Sequence, residues 1–171
     1  MQALRDGRIE AEFRGAGGSA VDVTIRRTLY GPTHVTISPG TYFAPTARRV
    51  QPQTTLGWVP INLGRNGVAR VQLKTACMDI NLPAAGYQDV LYARPCQDER
   101  MFKLCSAVNP TRDDHGAIQL AVWAIANNPP QRQMRGHSDM AKTKLLLRRA
   151  GLDPNSFRMF KRHVSPMLHT L

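Results

Sequence analysis

The chain has 171 residues, which is enough for one domain with a substantial hydrophobic core. Its 23 Lys and Arg residues outnumber 12 Asp and Glu, so the net charge is +11. This charge is unusual for a simple globular enzyme and favours an acidic protein surface, RNA, DNA or anionic lipid as a partner. No apolar run has the length of a membrane span or of a signal peptide. We therefore expect no membrane span and a cytoplasmic location, or a secreted protein if the chain is a trimmed mature form.

The first 95 residues have the pattern of a β-sheet protein. Short segments with alternating apolar residues are separated by turns rich in Gly, Pro and Asn, at spacings of about 8 to 12 residues. These predicted strands span residues 8–13, 21–27, 34–38, 41–44, 54–63, 68–80 and 87–93. Their number and spacing predict an antiparallel β-sandwich of the immunoglobulin-like type.

Two helices are predicted after these strands. The first spans residues 98–108, and the second spans residues 116–127 and is apolar on all sides, which predicts that it is buried. Asp113 or Asp114 is a suitable N-cap for the second helix, and two asparagines followed by two prolines end it. Both helices are expected to cover one face or one open end of the sandwich. The predicted first domain is thus residues 1–130.

The last 41 residues are expected to form a separable basic tail. They hold nine Lys or Arg residues against two Asp, a net charge of +7. A linker is predicted to precede one amphipathic helix that ends near Ala150, and a second helix is predicted at residues 155–163. Residues 131–171 should therefore form a basic helical hairpin, whose partner-binding or nucleic-acid-binding side chains are Lys142, Lys144, Arg148, Arg149, Arg158, Lys161 and Arg162.

Gln119 is the only polar residue between Ala117 and Ala126 in the apolar helix. A buried side-chain amide must find hydrogen-bond partners, since leaving it unsatisfied costs about 1 to 3 kcal/mol. The simplest expectation is that Gln119 bonds backbone groups, such as the edge of a sheet packed on the helix. The three cysteines, Cys77, Cys96 and Cys105, lack the spacing of a zinc site, although Cys96 and Cys105 could pair in a secreted protein.

Two short motifs carry a resemblance to a known family. The sequence Ala-Cys-Met-Asp at residues 76–79 ends the strongest predicted strand, and Ile-Gln-Leu-Ala-Val-Trp follows at residues 118–123. Together they resemble the two motifs of bacterial surface thioester domains. The resemblance implies that the Cys77 thiol and the Gln119 side chain form an internal thioester, which an amine of a target later opens. Residues 35–43 also resemble a stretch of bacterial Ig-like sandwich modules, which implies the same fold class.

Three functional hypotheses follow. The first is a noncatalytic interaction module that binds a protein with an acidic surface and uses the basic tail for docking. The second is an accessory protein that binds RNA or DNA through the tail. The third is the thioester module. The sequence carries no Gly-rich phosphate loop, nucleophile elbow or metal-binding histidine pair, so neither enzymatic turnover nor a cofactor or metal is expected.

Overall fold

The computed structural model describes residues 2–134 and 140–161. Within them, eight β-strands lie in the first hundred residues and helices follow, so the mainly β composition with C-terminal helices is confirmed. The strands are β1 (Ile9–Gly15), β2 (Ala20–Arg27), β3 (His34–Ile37), β4 (Tyr42–Pro45), β5 (Gln53–Thr55), β6 (Val59–Asn62), β7 (Val68–Cys77) and β8 (Val90–Arg94). The α-helices are α1 (Gln2–Arg5), α2 (Glu99–Ala107), α3 (His115–Ala126) and α4 (Met140–Arg149).

The prediction of an Ig-like sandwich is wrong, because six strands form a closed barrel in the order β1-β2-β7-β5-β4-β8. All neighbouring strands are antiparallel, and β8 closes the ring by pairing with both β1 and β4. β3 and β6 form a separate two-stranded sheet. Sandwich and barrel strands share the same alternation of buried and exposed residues, and they differ in which strands meet at the edges.

Two hydrophobic cores stabilise this arrangement. Inward-facing residues of the strands fill the barrel, and they include Phe13, Val23 and Leu73. The second core lies between the helices and the outside of the barrel, where Ala76 of β7 belongs to the same buried cluster as Leu120 of α3. α3 therefore packs over the end of β7.

The burial of this helix was predicted correctly for one broad face. Seven of the twelve residues of α3 are buried and share that face, whereas Gly116, Gln119 and Trp123 on the other side are half-buried. Asp114 caps the helix, since its carboxylate accepts a hydrogen bond from the Ala117 N–H at 2.9 Å. The helix ends at Ala126, before the two asparagines that were expected to stop it.

The predicted second helix of the basic hairpin is absent from the described residues. Pro154–Ser156 and Arg158–Phe160 form two short 3-10 turns in its place. Leu147 of α4, Phe157 and Met159 are buried in the same core as α3. The division of the chain at residue 131 stays a prediction, but the apolar face of α4 is part of the helical core. Among the described residues there is no helix long and apolar enough to cross a membrane.

Candidate functional site

The candidate site lies where β7 ends. Side chains alternate along this strand, so Ala76 faces the helices while Cys77 faces the opposite way, together with Thr75 and Leu73. The Cys77 side chain is buried, and the residue is only 4% exposed. Its thiol donates a hydrogen bond to the Gly18 carbonyl, with 3.3 Å between Sγ and O. The thiol is therefore held at the end of the barrel and shielded from water.

Gln119 completes the hydrogen bonding of the Cys77 backbone. Its Oε1 accepts from the Cys77 N–H at 2.9 Å, and its Nε2 donates to the Cys77 carbonyl at 2.6 Å. The simplest expectation for Gln119, that it bonds backbone groups at the edge of a sheet, is confirmed. The structure also brings Cys77 and Gln119 together, although 42 residues separate them in the sequence.

The strand pairing explains why a glutamine is needed there. The N–H and C=O of one extended residue point to the same edge of a strand. On one edge, β7 continues to pair with β5 as far as Cys77 and Gln53. On the other edge, the ladder with β2 ends at Lys74 and Ala20. Gln119 thus occupies the place of a neighbouring strand and satisfies two backbone groups that would otherwise be buried without partners.

A glycine-rich loop, residues 15–19, holds the thiol from the other side. The Gly18 carbonyl receives the thiol, and the neighbouring Gly17 carbonyl receives the Gln53 side-chain amide at 2.5 Å. Gly15 has no room for a side chain, because a Cβ there would lie 2.6 Å from atoms of Ala85. The loop therefore depends on glycine to close over Cys77.

Gln53 and Gln51 are site residues that sequence reasoning missed. Gln53 is fully buried on β5, and its Nε2 lies 3.9 Å from the Cys77 Sγ. Gln51 bonds the backbone after Cys77: its Oε1 accepts from the Asp79 N–H at 3.0 Å. Both glutamines lie in a short polar stretch that was interpreted as a loop before the predicted strand at residues 54–63. No local pattern marks them, since their burial depends on strands distant in sequence.

Burial determines the protonation of the thiol. Desolvation raises the pKa of Cys77 from 9.0 to about 11, and the hydrogen bond from Gln53 opposes this shift. Cys77 is consequently a neutral thiol at pH 7. The Cys105 thiol is more deeply buried, and desolvation raises its pKa to about 12. Cys77, Cys96 and Cys105 are all free thiols in the structure, so the pairing of Cys96 with Cys105 is not present.

The basic residues predicted to bind a partner lie around α4, and several have internal contacts. The Arg149 guanidinium forms a bidentate ion pair with Asp113, which lowers the pKa of that carboxyl. The Lys142 Nζ lies 3.6 Å from the Asp114 carboxylate. The Lys144 Nζ lies 5.3 Å from the centre of the Phe160 ring. These contacts join α4 to the start of α3 and to the turn that follows α4.

The remaining predicted basic residues differ in their environment. Arg148, Arg158 and Lys161 are exposed to solvent. Arg162 lies outside the described residues. Arg149 and Lys142 are exposed as well, but among the described residues they, unlike Arg148, form ion pairs with aspartates of the chain.

Comparisons of the chain with family models, with curated proteins and with solved structures found no match. The resemblance to thioester domains therefore stays a prediction.

Proposed function

We propose that the chain is a covalent binding module, in which Cys77 and Gln119 form an internal thioester that reacts with an amine of its target. The observation that supports this most is the pair of hydrogen bonds between the Gln119 amide and the Cys77 backbone, at 2.9 and 2.6 Å. They hold the amide carbon of Gln119 beside the residue that carries the nucleophile. Proximity lowers a reaction barrier most when the reacting atoms themselves are in contact, so the Cys77 sulfur must turn from the Gly18 carbonyl toward this carbon for the reaction.

The first step is attack of the Cys77 sulfur on the side-chain carbonyl carbon of Gln119. A C–S bond forms, and negative charge develops on Oε1 in the tetrahedral intermediate. The Cys77 N–H already donates to Oε1, so it stabilises this charge as an oxyanion-hole donor does. The C–N bond then breaks, and Nε2 leaves as ammonia with the proton that the thiol releases. The product is a thioester between the two side chains.

The second step is attack of a target amine on the thioester carbonyl. A new amide bond joins the target to the side chain of residue 119, the C–S bond breaks, and the Cys77 thiol is restored with the proton of the amine. Each chain can react once, so the module is not an enzyme with turnover. Burial of Cys77 beneath the loop 15–19 slows the competing attack by water.

Methylamine tests this proposal directly. Treated protein should carry methylamine on residue 119 and on no other residue, as located by peptide mapping with tandem mass spectrometry. The variants Cys77→Ser and Gln119→Leu should not be labelled. Cys105→Ser is the matched control, because it removes a buried thiol and leaves Cys77, and it should be labelled like the wild type. Equal labelling of Cys77→Ser and wild type would rule the proposal out.

Noncovalent binding of an acidic protein through α4 is the second candidate, and binding of RNA or DNA is its alternative. The exposed Arg148, Arg158 and Lys161 support this candidate, together with the net charge of +11. The ion pairs of Arg149 and Lys142 with aspartates of the chain weigh against it, since a partner would compete with them. Retention on heparin or on duplex DNA that falls steeply with salt and is weakened by Arg148→Glu would favour it. No retention at low salt would exclude RNA or DNA as the partner.

A further inference from the structure

The barrel has a weak seam between β1 and β8. These strands share only two residue pairs, Phe13 with Leu91 and Arg14 with Val90, whereas β1 and β2 share seven. From Glu12 back to Ile9, β1 continues without β8 as its neighbour, whereas β8 remains paired with β4 on its other edge. The barrel wall is therefore open along the first half of β1.

Two cavities lie at this seam, with volumes of about 260 and 240 Å³. Both are lined by Leu4 of α1, Ala11 and Phe13 of β1, and Ala93 of β8. Since they share these four residues, they adjoin each other and form one cleft. The shared residues are all apolar, so this part of the cleft suits an aliphatic group.

Small side chains create this space. Ala11 points into the barrel like Ile9 and Phe13, and Ala93 points inward like Leu91. Ile9, Phe13 and Leu91 are buried, but both alanines stay partly exposed because neither fills the room available to it. A cavity of about 150 Å³ lined by aliphatic and aromatic side chains can bind benzene, so the larger of the two holds roughly ten nonhydrogen atoms.

A basic side chain lies at the rim of the cleft. Arg8 lines the larger cavity, and its side chain is 47% exposed. Its guanidinium lies 3.4 Å from the Asp6 carboxylate, a long and solvent-exposed ion pair of the kind that contributes little energy. A ligand carboxylate could therefore replace Asp6 at small cost.

We propose that the cleft between β1 and β8 binds a medium-chain aliphatic carboxylate, with the chain between Leu4, Ala11 and Ala93 and the carboxylate on Arg8. This site shares no residue with the pair Cys77 and Gln119, and its ligand binds without a covalent bond. The proposal is independent of thioester formation.

Octanoate is the probe, and calorimetry together with saturation-transfer NMR measures its binding to the full chain. Ala11→Leu and Ala93→Leu fill the cleft and should abolish binding. Ala44, on β4, lines neither cavity; Ala44→Leu is the matched control and should bind like the wild type. The proposal would be overturned if octanoate did not bind the wild type, or if it bound Ala11→Leu and Ala93→Leu as tightly as the wild type.

A second experiment changes Arg8 at the rim of the cleft, so its result does not depend on how the barrel interior repacks around a larger side chain. Arg8→Gln should weaken octanoate binding by about tenfold through loss of a charge-assisted hydrogen bond, whereas binding of uncharged 1-octanol should be unchanged. Arg26→Gln, on the outside of β2, is the control for the change in net charge. If Arg8→Gln weakened the binding of octanoate and of 1-octanol equally, the assignment of the carboxylate to Arg8 would be contradicted.

Discussion

Gln119 differs in role from the apolar residues of α3, because it forms hydrogen bonds and they pack in the core. Its amide takes the place of a neighbouring strand for the Cys77 backbone. Replacing Gln119 with a residue that cannot form hydrogen bonds therefore leaves the Cys77 N–H and C=O buried and unpaired. In a Cys77→Ala background, which keeps the Gln119 amide intact, Gln119→Leu should therefore lower the free energy of unfolding by about 2 to 4 kcal/mol, as measured by urea denaturation. Gln72→Leu, an exposed position on β7, is the control and should change it little. A loss of under about 0.5 kcal/mol for Gln119→Leu would show that water replaces the amide.

The protonation of Cys77 gives a prediction for the rate of thioester formation. The thiolate is the nucleophile, and its fraction rises about tenfold per pH unit below the pKa of about 11. Treatment with ammonia reverses the reaction and restores Gln119. After ammonia is removed, the loss of mass should be about tenfold faster at pH 9 than at pH 8, and about tenfold faster at pH 8 than at pH 7. A rate that does not change over this range would mean that the thiol is deprotonated by a neighbouring group or is not involved.

Residue types in the sequence predicted much of this site. An apolar helix with one glutamine predicted a buried amide with backbone partners, and the motif resemblance named Cys77. Nothing in the sequence predicted Gln53, the Gly18 carbonyl or the edge at which β2 ends. Those features depend on strand registers, such as Cys77 opposite Gln53 and Lys74 opposite Ala20, which join segments distant in the chain.

At the scale of elements, α4 behaves as part of the core. Leu147 is fully buried against the other helices, whereas its neighbour Leu145 is 62% exposed. Leu147→Ala should lower the free energy of unfolding by about 2 to 5 kcal/mol, because the cavity cannot be filled by the surrounding helices. Leu145→Ala is the matched control and should have an effect of under about 1 kcal/mol. If both substitutions changed the free energy of unfolding by similarly small amounts, the prediction that residues 131–171 form a separable tail would be favoured.

The ion pairs of α4 give a second prediction at this scale. Arg149 holds α4 to Asp113 through two hydrogen bonds, and the arginine lowers the pKa of that carboxyl. The lowered pKa stabilises the fold above the ordinary pKa of an aspartate, and this contribution is lost as the pH falls through the folded-state value. Arg149→Gln should therefore make the melting temperature less sensitive to acid between about pH 5 and pH 3. Arg148→Gln is the matched control, and an equal change in both variants would contradict a specific role for Arg149.

The helices and strands were easier to predict than their assembly. The apolar face of α4, with Thr143, Leu146 and Leu147 buried, followed from its periodicity. Residues 155–163 had a similar spacing of apolar side chains, yet tertiary contacts of Phe157 and Met159 with the helical core hold two tight turns there. In a segment this short, packing outweighs helix propensity.

At the scale of the whole molecule, closure of the barrel determines where the two proposed sites lie. The sequence pattern predicted short antiparallel strands, but the pairing of β8 with both β1 and β4 is a long-range property that alternation alone does not contain. Closure places the end of β7 against α3 on one side and the loop 15–19 on the other. The same closure leaves the weak seam between β1 and β8, so the two proposed sites both follow from the topology.

The mass of the intact protein tests the thioester most directly. Wild-type protein purified without added amines and denatured in acid should be about 17 Da lighter than its sequence requires, because one ammonia is lost. Methylamine should then bring it to about 14 Da above the sequence mass. Cys77→Ala and Gln119→Leu should have the masses that their sequences require, with or without methylamine. A wild-type protein of full sequence mass that methylamine leaves unchanged would contradict the account.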